Sequence, residues 1–218
     1  LFAHIVGYAT NGKSGIESVH NYDLLSSHAS ILDQIREEKL DTKVQGDSLV
    51  LTLNTQLQQV CYDALGDNKG AIVVLEPSTG KVLAMVSKPD FNPNTIEQDW
   101  DALINDDSNS SLFNRALQGQ YPPGSTFKII TMSAGLSEGV VSPNDSFFCP
   151  GYKIVEDRRI HCHKRTGHGA ENFVQGAQNS CNPVFIEVGL RLGVEKFCDY
   201  FRNFGLMEKT GIDLPGEA

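Results

Sequence analysis

Two short patterns in the 218-residue sequence pair groups of complementary reactivity. The first is "YPPGSTFK", in which Ser125 precedes Lys128 by three positions. A Pro-Pro-Gly turn delivers the chain to Ser125, and the apolar run after it predicts a helix from Ser125 to about Gly139. Residues three apart share one helix face, so the Lys128 amine can reach the Ser125 hydroxyl. The positive end of a helix disfavours a second positive charge, and burial acts in the same direction. A neutral amine beside an alcohol is a base that can make the alcohol a nucleophile. The pattern is also what a capping serine followed by a solvated lysine would produce. A second copy, Ser78 to Lys81, lies between two apolar runs and is expected to serve only a hairpin turn.

The second pattern is "AQNSCNPVF", which sets the Ser180 hydroxyl and the Asn182 amide two positions apart. Such a pair can pass a proton to a leaving group and hold a substrate amide. Pro183 at a first helical position equally makes Asn182 a helix cap. Ser142 and Asn144 repeat the spacing in an evident turn.

The surrounding elements decide what these groups can meet. From "SLVLTL" the pattern sharpens. A helix follows, with Asn54 as cap, Leu57, Val60, Cys61, Ala64 and Leu65 on one face, and Gly66 as stop. Two apolar runs around Glu76 to Gly80 predict a hairpin covered on both faces. Residues 92–112 read as an exposed connection with one weak helix. Residues 147–170 read as loop with short strand, and helices are expected at about 172–179, 183–192 and 194–204. A short helix is also expected near 28–40. The fold class is therefore α+β, helices packed on an antiparallel sheet. Two strands alone make a marginal sheet, so further strands should pair with this hairpin.

The net charge of -9 and the lack of a Lys/Arg-rich run exclude a phosphate-backbone partner. No stretch approaches the roughly 18 apolar residues of a membrane span. Leu1 rather than Met at the start is what a processed piece would show, with any anchor lying upstream. Five cysteines, an odd number, argue against a full disulfide framework. Cys61 and Cys198 fall on apolar helix stripes, and Cys149 and Cys162 could pair across a loop. The group Cys149, His161, Cys162, His163 and His168 fits no standard zinc spacing. It is read as loop histidines or a cysteine pair, and no metal or cofactor is assigned.

The segments "RALQGQYPPGSTFKIITMSAGLSEG" and "HGAENFVQGAQNSCNPVFIEVGLRLG" resemble the transpeptidase domain of class B penicillin-binding proteins. The likeness spans about residues 48 to 217 and includes "VVLEPSTGKVLAMVSKPDFNPN", similar to that family's first sheet strands. Residues 12 to 25 are similar to the end of its non-catalytic pedestal. The resemblance thus implies a pedestal remnant over 1–47 and the N-terminal portion of the transpeptidase domain over 48–218. It implies a monofunctional enzyme, since no glycosyltransferase segment is present.

In this family Ser125 would attack the carbonyl between the terminal D-alanines of a peptidoglycan stem peptide. Lys128 would take the serine proton, Ser180 would relay a proton to the departing D-alanine, and Asn182 would hold the substrate amide. A neighbouring strand's amine would resolve the acyl-enzyme, and β-lactams would acylate the same serine. The resemblance also implies an upstream membrane anchor, an extracytoplasmic catalytic domain and other cell-wall synthesis proteins as partners. Lys209-Thr210-Gly211 mimics the family's third motif, but its neighbours place it in a loop, with only Ile212 to Leu214 open to strand formation. The true third motif would lie further along, with one of the two oxyanion donors, so these 218 residues alone are expected to be inactive. A serine β-lactamase, a β-lactam sensor domain and a catalytically dead homologue are the competing readings.

Overall fold

The computed structural model describes residues 1–26 and 46–218. The helix expected near 28–40 lies outside the described residues. The chain forms two compact units, residues 1–120 with 211–218, and residues 121–210.

The first unit is built on the expected hairpin. Strands β1 (Gly70–Leu75) and β2 (Val82–Lys88) pair antiparallel. Three short helices precede them, α1 (Ala3–Val6), α2 (Gly15–Val19) and α3 (Asn21–Leu25). Helix α4 (Thr55–Leu65) starts where the Asn54 side chain accepts the Leu57 N–H, and Gly66 ends it, as the sequence predicts. Its face packs Cys61, Leu57, Tyr62 and Leu65 on Ala84, Val86, Ile72 and Val74. On the other side of β2, Met85 and Val82 pack with Ile5 and Ile16. The expectation of cover on both faces therefore holds for β2 only. Val73 and Leu75 of β1 are exposed, because nothing among the described residues packs over that face.

The outer edge of β2 is closed by side chains rather than by a strand. Gln58, fully buried, donates from Nε2 to the carbonyls of Met85 (2.7 Å) and Leu1 (2.9 Å). Its Oε1 accepts the Met85 N–H at 2.8 Å. The Asn54 N–H donates to the Leu83 carbonyl at 2.8 Å. A Gln58→Leu substitution keeps the volume but leaves both Met85 backbone groups buried and unpaired. At about 1–3 kcal/mol for each such group, the melting temperature should fall by many degrees, with an urea titration giving the loss directly. Helix α5 (Ile96–Ile104) buries Ile96 near Phe91 and Ala3, with Trp100, Leu103 and Leu112 around them, so the 92–112 connection is more than an exposed loop.

The second unit holds both reactive patterns. A 3₁₀ turn (Gly124–Phe127) runs into α6 (Lys128–Ser137). The helix expected at Ser125 thus begins three residues later, after a tighter turn. Residues 146–172 contain four strands rather than mostly loop. β3 (Ser146–Cys149) pairs with β6 (Gly169–Asn172), and β4 (Tyr152–Val155) pairs with β5 (Arg158–His161), all antiparallel. Charged residues such as Arg158, Arg159 and Glu171 hide the apolar alternation by which a strand is recognised.

Helices α7 (Phe173–Gln178), α8 (Asn182–Leu192) and α9 (Val194–Asn203) follow within a residue or two of expectation. The core of this unit gathers Val141, Phe173, Val184, Phe185, Val188, Cys149, Cys162 and Cys181. Helices α6 and α8 approach closely at Gly135, where a Cβ would stand 2.7 Å from a Val188 methyl. That approach carries the start of α6 toward the start of α8, and so the first pattern toward the second. No helix among the described residues is long and apolar enough to cross a membrane.

Candidate active site

A 3₁₀ helix has three residues per turn, so residues i and i+3 eclipse one another. Ser125 and Lys128 occupy such a pair. The positive φ of Gly124 (58°) turns the chain into it, a conformation that glycine enters without a Cβ penalty. Lys128 Nζ lies 3.3 Å from Ser125 Oγ. The lysine is half-buried and Ser125 is exposed.

Ser180 and Asn182 converge on the same nitrogen. Lys128 Nζ is 3.0 Å from Ser180 Oγ, 2.7 Å from the Ser180 carbonyl oxygen and 2.7 Å from Asn182 Oδ1. Ser180 Oγ stands 3.0 Å from Ser125 Oγ, closing a triangle of two hydroxyls and one amine. Asn182 is not the helix cap that the sequence suggests. Cys181 takes that position, and Asn182 is the first residue of α8. Its side chain is thereby released from capping. Asn182 Nδ2 donates to the His161 carbonyl at 2.8 Å, which fixes Oδ1 toward the lysine. Ser180 holds a left-handed backbone (φ 48°), uncommon for a residue with a Cβ and costly unless its surroundings impose it.

The acceptors around Lys128 dictate its proton arrangement. A carbonyl and an amide oxygen can only accept, so they take two N–H bonds. The remaining position faces two hydroxyls, which can donate as well as accept. A neutral amine satisfies this set with its lone pair toward a serine. No ion pair to Lys128 occurs among the described residues. Burial holds its pKa below the usual lysine value of 10.5, opposed in smaller measure by the thiols of Cys162 and Cys181. The Phe185 ring lies 5.5 Å from Nζ.

The model of the penicillin binding protein transpeptidase domain matches residues 70–218. The chain belongs to the penicillin-binding protein transpeptidase family. The class B resemblance read from the sequence is borne out by its relatives. Over its full length this transpeptidase-family chain is 35% identical to stage V sporulation protein D of Bacillus subtilis. It is 33% identical to the peptidoglycan D,D-transpeptidase MrdA of Acinetobacter baumannii. It covers 36% and 37% of those two proteins, so it spans little more than a third of the relatives' length.

Solved structures agree on the fold. The D,D-transpeptidase domain of a peptidoglycan glycosyltransferase from Eggerthella lenta superposes with a TM-score of 0.84 at 31% identity. That match covers 97% of this chain and 47% of the other. The ceftriaxone acyl-enzyme of penicillin-binding protein A from M. tuberculosis gives 0.84 at 27% identity, covering 94% and 50%. A complex between PBP2 and MreC from Helicobacter pylori gives 0.80 at 26%, covering 99% and 46%. The α+β fold of the family is thus the fold of this chain.

The two look-alike patterns of this transpeptidase-family chain lie in a turn and in an irregular segment. Ser78 and Lys81 are exposed at the hairpin turn, where Gly80 has a φ of 74°. Lys209-Thr210-Gly211 is exposed and irregular, and Ile212 to Leu214 form no strand. Cys61 is buried as expected and Cys198 is half-buried. Cys149 and Cys162 are not bonded to each other. They do lie together, in company with Cys181, which the sequence reading assigns to no group. Its only signal was a cysteine between the two residues of the second pattern.

Proposed function

We propose that this chain supplies the nucleophilic half of a peptidoglycan D,D-transpeptidase active site. The observation that carries the reading is one half-buried amine in contact with two serine hydroxyls and the Asn182 amide. Ser125, the exposed alcohol, attacks the carbonyl between two terminal D-alanines of a stem peptide. Lys128 accepts its proton, directly or through Ser180. Ser180 returns a proton to the departing D-alanine, and Asn182 holds the substrate amide. An amine from a neighbouring strand then takes the acyl group, forming the cross-link.

β-Lactams present the same acyl carbonyl, and the ceftriaxone acyl-enzyme of a relative supports their capture here. The whole protein is membrane-anchored, with this domain on the extracytoplasmic side, and residues 1–47 end a pedestal that precedes the transpeptidase domain from 48 onward. The PBP2–MreC complex of a relative supports cell-wall assembly proteins as partners. The sensor and β-lactamase readings have no observation of their own in their favour.

The test is chemical. The protein carrying the complete transpeptidase domain is incubated with benzylpenicillin, digested and mapped by mass spectrometry. A long-lived penicilloyl adduct on the peptide holding Ser125 is expected. An adduct that hydrolyses within seconds would make the protein a β-lactamase, and an adduct elsewhere would remove Ser125 from the mechanism.

A further inference from the structure

The β4–β5 hairpin of the second unit concentrates positive charge in an acidic chain. The net charge is -9, yet residues 158–165, "RRIHCHKR", hold four cations and no acid. Arg158, Arg159, Lys164 and Arg165 are all exposed. None of them has an ion-pair partner among the described residues, although Lys153, Arg191, Lys196 and Arg202 of the same unit all do. Glu156 and Asp157 lie at the hairpin's tip, away from its base.

Register and packing give the hairpin two different faces. Residues directly opposite in an antiparallel pair share a face, and successive residues alternate. Lys153 turns toward α8, where it pairs with Glu187. Tyr152 opposite His161, and Ile154 opposite Arg159, therefore form the outward face. On it the Arg159 guanidinium lies 4.3 Å from the centre of the Tyr152 ring, and the His161 ring stands 6.4 Å from the same ring. Residue 165 folds back on the base of the hairpin, for a Cβ on Gly151 would stand 2.1 Å from the Arg165 carbonyl oxygen. That base is also the end beside the reactive groups. The His161 carbonyl accepts from Asn182, whose Oδ1 accepts from Lys128. Like charges gathered on one surface repel one another, and an anion arriving among them relieves that repulsion. Arginine presents a planar fork that fits a carboxylate.

Given the transpeptidase reading of Ser125, on which this rests, we propose that the outward face of the β4–β5 hairpin, with Lys164 and Arg165 at its base, binds the acceptor stem peptide by its carboxylates. A stem peptide that has not been cross-linked has a free C-terminal carboxylate, so the acceptor is an anion that the reaction must bring beside the site. The donor loses its own terminal carboxylate when the last D-alanine departs. The acceptor's neutral amine then attacks the Ser125 ester carbonyl. The new C–N bond forms, the ester C–O bond breaks, and a proton of the amine passes through Lys128 to the Ser125 oxygen.

The test is transfer by the protein carrying the complete transpeptidase domain, with a synthetic donor peptide ending in two D-alanines. The acceptor is a synthetic stem peptide with a free amine, its carboxylates either free or amidated. Arg159→Glu, and Lys164→Glu combined with Arg165→Glu, should each raise the acceptor KM by about 3- to 10-fold with kcat near the parental value. Amidation of the acceptor should raise the parental KM likewise and remove the difference between parent and variants. Both variants should melt with the parent. The same charge reversal at Lys81, exposed on the β1–β2 turn, should leave the acceptor KM unchanged. An equal loss with the amidated acceptor would overturn the proposal. So would an Arg159 that phenylglyoxal fails to modify in the complete domain, because another part of the protein then covers the face. Weakened binding of the variants to phosphatidylglycerol vesicles, with an unchanged acceptor KM, would assign the cations to a membrane surface instead. The two readings fail separately. A parent that forms no penicilloyl adduct on Ser125 sinks the transpeptidase reading, whereas an adduct in the parent with a parental acceptor KM in both variants sinks the acceptor site alone.

Discussion

Replacing Ser125 by alanine should abolish covalent capture of labelled penicillin, while Ser180→Ala should only slow it. Both hydroxyls touch Lys128 Nζ, and by distance alone Ser180 is the nearer, at 3.0 Å against 3.3 Å. Exposure and backbone decide between them. Ser125 is exposed on a turn that a ligand can approach, whereas Ser180 is partly covered and locked in a left-handed conformation. A nucleophile needs access, and a proton relay needs only its neighbours. Substitution at an exposed surface position typically changes stability by no more than about 0.5 kcal/mol. Ser125→Ala should therefore melt with the parent, which separates lost chemistry from lost structure. Gel fluorescence with a labelled penicillin reads the outcome. Labelling of Ser125→Ala at the parental rate, or its loss in Ser180→Ala alone, would reverse the two roles.

The sequence made some parts of this arrangement legible and concealed others for physical reasons. The α4 cap at Asn54, the hairpin and the α9 helix follow local rules of capping and periodicity and lie where those rules put them, whereas α6 starts three residues late behind a 3₁₀ turn and α8 one residue early. The meeting of Ser125-Lys128 with Ser180-Asn182 is different. It depends on α6 packing against α8 at Gly135, a contact between residues far apart in sequence, and no local pattern announces it. Resemblance to a family supplied that link. The local error at Asn182 has the same origin. Capping rules put Asn182 before Pro183, but its side chain is engaged by the distant His161 carbonyl, and the helix starts one residue earlier with Cys181 at the cap. The cysteine cluster was hidden because its members are widely spaced, and because Cys181 sits inside a motif read for its neighbours. Strands β3 to β6 were hidden because each is only four residues long and none alternates apolar with polar: β5 is exposed throughout, β3 and β4 expose Phe148 and Ile154, and β6 buries Glu171.

Lys128→Met should slow acylation of Ser125 by about 10²–10⁴-fold, the range spanned by a positioned general base. Methionine keeps much of the lysine stem and its packing near Phe185, but removes the nitrogen that joins the two hydroxyls. The pH profile carries the sharper test. Only the uncharged amine can take a proton, so the acylation rate should rise with pH through the Lys128 pKa and level above it. Burial sets that pKa below the ordinary 10.5, which brings the ascending limb toward neutrality. The sign follows from the acceptors around the nitrogen. The Ser180 carbonyl and Asn182 Oδ1 are satisfied by two N–H bonds, so loss of the third proton breaks no obligatory contact and frees a lone pair facing Ser125. In Lys128→Met the ascending limb should vanish along with the rate. Lys128→Arg should be as slow, because a guanidinium does not give up its proton near neutral pH. A limb that persists unchanged in the methionine variant would mean that another group deprotonates Ser125, and the lysine would then serve only to hold Ser180 and Asn182 in place.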